Sequence, residues 1–288
     1  MSDAGTLHDQ IAAVIGATPR SIEPLSGGCV GEVYRVTLAD NTSLVAKVDR
    51  SASPRLACEG RMLRYLAEHS RLPVPAVLHS SGSLLLMEYL EGESHFSVAA
   101  QRHAAELLAD LHALSAQRGF GFDEDTLIGG LQQPNLWTAS WIEFFRDQRL
   151  MYMGGVAVEA GRMPHTMLGR LERFAARLDE WLEEPERSSL IHGDVWTTNV
   201  LARNGRITGF IDPAIYYAHA EIELAFTTLF GTFDAGFFRR YEELRPIAPG
   251  FMEVRRDIYN LYPLLVHARL FGGGYVASVD SLLRRFGF

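Results

Sequence analysis

This chain predicts an α+β fold in two lobes, an N-terminal antiparallel sheet lobe and a mainly helical C-terminal lobe. Three observations lead there. Residues 33–48 hold two short apolar runs separated by the turn pair Asp40-Asn41. From about residue 97 apolar residues recur at the spacing of helices. One hairpin signal, Asn204-Gly205 between two apolar runs, interrupts the helical part. The predicted lobes are 1–91 and 92–288, with Gly92 at the link, and the cleft between them is the default place for a ligand.

Composition narrows the function. At 288 residues the chain can bury a large core. A net charge of −8 argues against binding along a nucleic-acid backbone, which needs a positive surface. Cys29 and Cys58 are too few for a disulfide framework or a zinc site, so a reducing compartment is expected. The first 16 residues lack a basic stretch ahead of an apolar run, so no signal peptide is expected. No apolar stretch nears the roughly 20 residues that span a bilayer. The expectation is a cytoplasmic protein with no nucleic-acid or membrane partner, and the sequence sets no oligomeric state.

Taken in order, residues 7–15 have helical spacing. The segment Ser26-Gly27-Gly28-Cys29-Val30-Gly31 leads into a strand at 33–36, and 44–48 returns as its partner. Residues 54–67 read as a helix with Leu56, Met62, Leu63 and Leu66 as its apolar stripe, stopped by Pro73 and Pro75. Residues 84–89 read as a buried strand. Helices are expected at 98–114, 137–151 and 168–182. The hairpin of 200–203 and 206–211 carries a type I′ turn, and helices return at 224–230 and 258–271.

Lys47 is the only lysine among 27 basic lysine and arginine residues, and it sits in an apolar, strand-like run. Arginine serves surface solubility and bidentate pairing, so one retained lysine suggests a compact ammonium needed at a fixed point. Far downstream, His192-Gly193-Asp194-Val195-Trp196-Thr197-Thr198-Asn199 has the H-x-D-x-x-x-x-N form of a phosphoryl-transfer loop. There Asp194 accepts the proton of an attacking hydroxyl, and Asn199 offers an amide oxygen to a metal. The hairpin brings its two ends to one edge, so Asn199 and Asp212 can share Mg²⁺.

The remaining candidates are weaker singly. Gly27, Gly28, Cys29 and Gly31 either form a tight turn or let backbone amides approach ATP phosphates. Lys47 is expected on the α- and β-phosphates, held by Glu59, whose alternative is a solvated helix charge. Met87, Glu88 and Tyr89 are either a plain core strand or a hinge whose backbone meets adenine. Cys29 near such amides also suggests a readily oxidised thiol, with an inert side chain as the alternative.

Together these residues resemble the fructosamine/ketosamine-3-kinases, an aminoglycoside phosphotransferase-like branch of the protein-kinase fold. The shared branch features are Val45-Ala46-Lys47, His192 to Asn199 and Ile211-Asp212-Pro213-Ala214. The family-specific ones are Gly119-Phe120-Gly121-Phe122, Ile128-Gly129, Gln133-Pro134-Asn135-Leu136-Trp137, Trp141 to Phe145, Arg149-Leu150, Tyr216 to His219, Leu229-Phe230-Gly231 and Tyr262 to Tyr275. Two departures stand out: Ala220 and Glu223 replace the family's usual Arg and Asp, which bears on acceptor preference.

The resemblance implies a bilobal protein-kinase-like fold and ATP- and Mg²⁺-dependent phosphorylation of the C3 hydroxyl of a ketosamine: ribulosamine, erythrulosamine or fructosamine, free or protein-bound. The product sheds its sugar, so the implied role is deglycation. Trp137, Trp196 and His219 are then expected near the acceptor, with packing as their alternative. Another small-molecule kinase of the aminoglycoside or choline kinase-like group has the same catalytic residues. A nucleotide-binding pseudokinase is disfavoured by the complete set Lys47, Asp194, Asn199 and Asp212. A protein kinase is disfavoured by Asp212-Pro213-Ala214 in place of D-F-G.

Overall fold

A computed structural model describes residues 3–25 and 31–288. Helix α1 (Asp3–Ile15) precedes a five-stranded antiparallel sheet of β1 (Pro19–Pro24), β2 (Glu32–Leu38), β3 (Ser43–Val48), β4 (Val77–Ser80) and β5 (Leu84–Glu88), in the order β1-β2-β3-β5-β4. Helix α2 (Leu56–His69) lies between β3 and β4 in the chain.

The apolar run in β5 is continuous because both faces of that strand are covered. Leu84 and Leu86 pack with Leu7 and Ile11 of α1, whereas Leu85 and Met87 pack with Leu56 and Leu63 of α2. Edge strands β1 and β4 have no sequence counterpart above. β1 reads Pro-Arg-Ser-Ile-Glu-Pro, with one large apolar residue and a proline at each end, which suits only a half-exposed edge.

Beyond the link the chain is mainly helical. It runs through α3 (Val98–His112), a small hairpin of β6 (Thr126–Ile128) and β7 (Leu131–Gln133), then α4 (Trp141–Phe144), a π-helical turn (Phe145–Met151) and α5 (Tyr152–Glu159). The helix expected at 137–151 therefore starts late and runs on. Ser140 caps it by accepting from Glu143 N at 3.1 Å, and Glu184 accepts from Trp141 N and Ile142 N, which fixes the start. Next come α6 (His165–Ala175), β8 (Ser189–Ile191), the hairpin β9 (Val200–Arg203) and β10 (Arg206–Phe210), and β11 (Tyr216–Ala218), which pairs with β8. Helices α7 (Ala220–Leu229), α8 (Ala235–Leu244), α9 (Arg256–Phe271) and α10 (Gly274–Arg285) complete the chain. The main core lies among these helices, around side chains such as Trp141, Phe144, Phe174 and Leu265, and it takes in Cys58, Met62 and Leu66 of α2.

Two features tie sheet to helices. The link residue Glu93 exchanges both backbone hydrogen bonds with Ala202 of β9, each at 2.9 Å. Helix α2 reaches across through Arg61 to Glu124 (2.8 Å) and Tyr65 to Tyr217 (3.0 Å). Among the described residues no helix is long and apolar enough to cross a membrane.

Candidate active site

The loop after β8 is shaped by Gly193. Its φ of +86° suits glycine, and a Cβ there would stand 2.1 Å from the Ala214 carbonyl oxygen. The loop is held from beneath by Glu223 of α7. Its Oε1 accepts from Gly193 N at 2.6 Å, and its Oε2 accepts from His192 N at 3.3 Å and pairs with His112 Nε2 at 2.9 Å. Burial pushes the Glu223 carboxyl up, but these partners outweigh it and hold the group below its ordinary range. Glu223 thus supports the loop's backbone and does not line the main cavity.

Asn199 closes the loop. Its Nδ2 donates to Asp194 Oδ2 at 2.8 Å and to the Asp194 carbonyl at 3.1 Å. Among the described residues its Oδ1 has only a long 3.5 Å contact from Thr198. Half-buried Asp194 is pushed up to about 8, first by burial and then by the Asp212 carboxylate.

The hairpin then delivers Asp212. Asn204 (φ 51°) and Gly205 (φ 75°) form the left-handed pair of a type I′ turn. Phe210 pairs with Val200, and Ile211 N donates to Asn199 O at 3.0 Å, so Asn199 and Asp212 leave the hairpin at one end. Asp212 itself has φ +55°, an uncommon backbone state for a residue with a Cβ.

From the sheet, Lys47 Nζ donates to Glu59 Oε1 at 2.6 Å and to Asp212 Oδ1. Lys47 is only 5% exposed. Burial pulls its ammonium down, yet the Asp212 and Glu59 carboxylates more than offset this and keep it charged. Glu59 is raised, by burial first, with Lys47 opposing.

These groups share one cavity of about 570 Å³. Lys47, Glu59, Asp194, Asn199 and Asp212 belong to its polar lining, together with Asp49, Ser51, Ser53, Arg55 and Thr198. Its other wall is aromatic and apolar, with Trp196, Phe226, His267 and Phe271. The Trp196 and Phe230 rings lie 5.4 Å apart, and His267 touches Phe230 at 5.1 Å and Phe271 at 5.8 Å. Phe230, His267 and Phe271 stand in the sequence within motifs that give them no individual place, and Phe226 carries no signal of its own.

Other candidates fall elsewhere. Gly27, Gly28 and Cys29 lie outside the described residues. Met87, Glu88 and Tyr89 do not line this cavity. Met87 packs with Leu56 and Leu63, Glu88 N donates to Ala76 O at 2.9 Å, and Tyr89 lies under the Arg35 guanidinium at 4.4 Å. Trp137 sits off the cavity, with Nε1 on Asp123 at 3.0 Å and Arg118 over its ring. His219 is at the start of α7, where its Nδ1 accepts from Glu221 N at 3.1 Å. Burial lowers it to about 4, so the ring is neutral and free to accept. Helix capping accounts for this histidine, and its side chain faces a separate cavity beside Arg245 and Arg255.

The donor set fits Mg²⁺. Among the described residues no cluster of three His, Cys, Asp or Glu could hold a metal alone. Asn199 Oδ1 and the second Asp212 oxygen are hard oxygen donors at one edge, and Mg²⁺ commonly takes one or two such groups and completes its shell with phosphate and water.

Comparison with known proteins agrees with this architecture. The fructosamine kinase family matches residues 5–286. A probable ketoamine kinase of Vibrio parahaemolyticus is 34% identical over 272 residues, covering 91% of this chain and 90% of that protein. The chloroplastic protein-ribulosamine 3-kinase of Oryza sativa subsp. japonica is 32% identical over 275 residues, covering 91% of this chain and 77% of that protein. The crystal structure of a candidate fructosamine-3-kinase from Thermobifida fusca superposes with a TM-score of 0.85 at 29% identity, covering 98% and 99% of the two chains. A thermostable aminoglycoside phosphotransferase shares the fold alone, at TM-score 0.67 and 20% identity over 97% of this chain and 99% of that one. With a family match over nearly its whole length, joined to a bilobal phosphotransferase fold, the chain belongs to the fructosamine kinase family.

Proposed function

We propose that this enzyme transfers the γ-phosphoryl group of ATP to the C3 hydroxyl of a ketosamine. The observation that carries the reading is one cavity whose polar end holds Lys47, Asp194, Asn199 and Asp212 and whose other wall is aromatic. The names of its relatives supply the acceptor class, ketoamines and ribulosamines.

Bound Mg·ATP supplies the phosphoryl group and a cation that offsets charge on it. Asp194 orients the acceptor hydroxyl and takes its proton, with Asn199 fixing the carboxylate through Nδ2. Asn199 Oδ1 and Asp212 hold the cation. Lys47, braced by Glu59, presents its ammonium to the phosphates. In the lobe of residues 1–91, Gly31 lines the cavity and is assigned to the phosphates. Gly27, Gly28 and Cys29 are assigned there on the sequence alone, and Met87, Glu88 and Tyr89 are assigned to adenine on the sequence alone, outside the lining of this cavity. Residues 92–288 carry the acceptor side, where Trp196 and the neighbouring rings cover the sugar. Trp137 and His219 have no part in this reading. In the product, shift of a C1 proton to the C2 carbonyl oxygen gives the 1,2-enaminol, whose nitrogen lone pair expels the C3 phosphate as inorganic phosphate and leaves an imine at C1. Water hydrolyses that imine to the free amine and a 3-deoxy-2-ketoaldehyde, which is the chemistry of deglycation.

The test is ADP release from Mg·ATP against ribulosamine, erythrulosamine and fructosamine adducts of lysine, beside aminoglycosides, choline and homoserine. Turnover confined to the ketosamines supports the reading and ranks the sugars. Turnover only on the others keeps the fold and discards the acceptor.

A further inference from the structure

A chain of buried polar side chains runs behind the active site without touching the cavity. It begins at Arg149, which is fully buried in the π-helical turn. No carboxylate lies within ion-pair distance of it among the described residues. Its guanidinium stacks 3.8 Å from the Tyr216 ring centre and donates to Asn135 Oδ1 at 2.6 Å and to the Pro134 carbonyl at 2.7 Å.

Arginine can only donate, so this contact fixes the polarity of everything that follows. Asn135 must turn its Nδ2 the other way, to Thr126 Oγ1 at 2.8 Å. Gln133 Nε2 also donates to Thr126 Oγ1, at 2.8 Å, which leaves the Thr126 proton for the Ile215 carbonyl at 3.3 Å. The same Gln133 Nε2 donates to the Ala214 carbonyl at 3.0 Å, while its Oε1 accepts from Tyr262 OH at 2.7 Å. Gln133 and Thr126 are 0% exposed.

Ala214 is where the two halves of the site meet. Its N–H donates to the His192 carbonyl at 2.8 Å, and its carbonyl oxygen stands over the Cα of Gly193. Two residues earlier is Asp212, in its left-handed conformation. Such a conformation persists where its surroundings over-determine it. The hairpin fixes the segment before Asp212, and beyond Pro213 Gln133 and Thr126 grip the carbonyls of Ala214 and Ile215.

We propose that Gln133 is a positioning residue for phosphoryl transfer: by holding the Ala214 carbonyl it sets Asp212 against the His192–Asp194 loop, with its amide aligned by Arg149, Asn135, Thr126 and Tyr262. This rests on the roles given above to Asp194 and Asp212. It also gives a physical reason for the otherwise unassigned motif residues Gln133, Asn135, Arg149 and Tyr262, which belong to one directed network.

The test compares Gln133→Met, which keeps the volume and removes the donors, with Tyr259→Phe. The latter removes a buried hydrogen bond from Trp141 Nε1 (3.1 Å) that does not reach Ala214. The first readout is hydrogen exchange of the Ala214 amide in the nucleotide-free, metal-free chain; the second is kcat and acceptor KM. Gln133→Met should speed Ala214 exchange about tenfold and lower kcat about tenfold with acceptor KM little changed. Tyr259→Phe should do neither at a similar loss of thermal stability. If Gln133→Met does not fold, Tyr262→Phe replaces it, with a shift of about threefold in the same direction. Ala214 exchange that stays at the wild-type rate, or a kcat loss no larger than in Tyr259→Phe, overturns the proposal. The exchange arm needs no turnover, so it decides the positioning role even if the wild-type chain phosphorylates no ketosamine.

Discussion

Asp194→Asn should make the metal-free protein more stable at pH 8 while removing its activity. Burial, and then Asp212, raise the Asp194 carboxyl from 3.8 to about 8. A carboxyl raised on folding contributes its full stability below the unfolded value, as a neutral acid. That contribution is lost as pH rises toward 8, because the unfolded chain has already given up its proton. The rise from 3.8 to about 8, at about 1.4 kcal/mol per tenfold change in proton affinity, sets an upper bound of about 5–6 kcal/mol. Solvent reaches this half-buried group and Asn199 bonds its charged form, so about 2 kcal/mol is the expected cost at pH 8. Asparagine carries no charge and escapes it. Thermal unfolding in a chelator should place the variant about 4 °C above wild type at pH 8, and about a third of that at pH 5. Turnover should fall about a thousandfold, since the proton acceptor is gone. A variant less stable than wild type at pH 8, or equally shifted at both pH values, would refute the electrostatic reasoning. Retained turnover would refute the base assignment.

Lys47→Met strands the Glu59 and Asp212 carboxylates in a buried site; chemical denaturation should show a loss of about 3 kcal/mol, with ATP KM raised. Gly193→Ala places a Cβ against the Ala214 carbonyl at positive φ, and calorimetry should show at least about 2 kcal/mol of destabilisation with most activity lost. Trp196→Ala should raise acceptor KM about tenfold and leave ATP KM unchanged, whereas His219→Ala should cost about 1 kcal/mol of stability as a lost cap and leave acceptor KM alone.

What the sequence made legible was chiefly local chemistry. Asn204-Gly205 dictates its own turn and the register as far as Ile207, but a one-residue bulge at Thr208, which the sequence did not signal, shifts the pairing so that Asn199 meets Ile211 beside Asp212. The apolar run at β5 announced a buried strand because both its faces are covered. Edge strands β1 and β4 were silent, since a half-exposed edge needs few apolar residues. Lys47 stood out by composition, but its second partner, Asp212, is 165 residues away and no spacing encodes that meeting. His219 and Trp137 resembled acceptor contacts because their residue types suit a site, while the fold uses one as a helix cap and the other as a surface stack. The aromatic wall was written in the sequence as disconnected motifs, and only the approach of α7 and α9 joins Phe226 and Phe230 to His267. Glu223, a departure from the family pattern, lies beneath the catalytic loop. It bears on loop geometry before acceptor choice.

The most direct test of the central claim is where the phosphate goes. Phosphorus–proton correlation spectroscopy on the product of Mg·ATP and lysine-linked ribulosamine should show the phosphate on C3, followed by release of inorganic phosphate and free lysine. Phosphate on another hydroxyl, or a stable product that keeps its amine, would contradict the account.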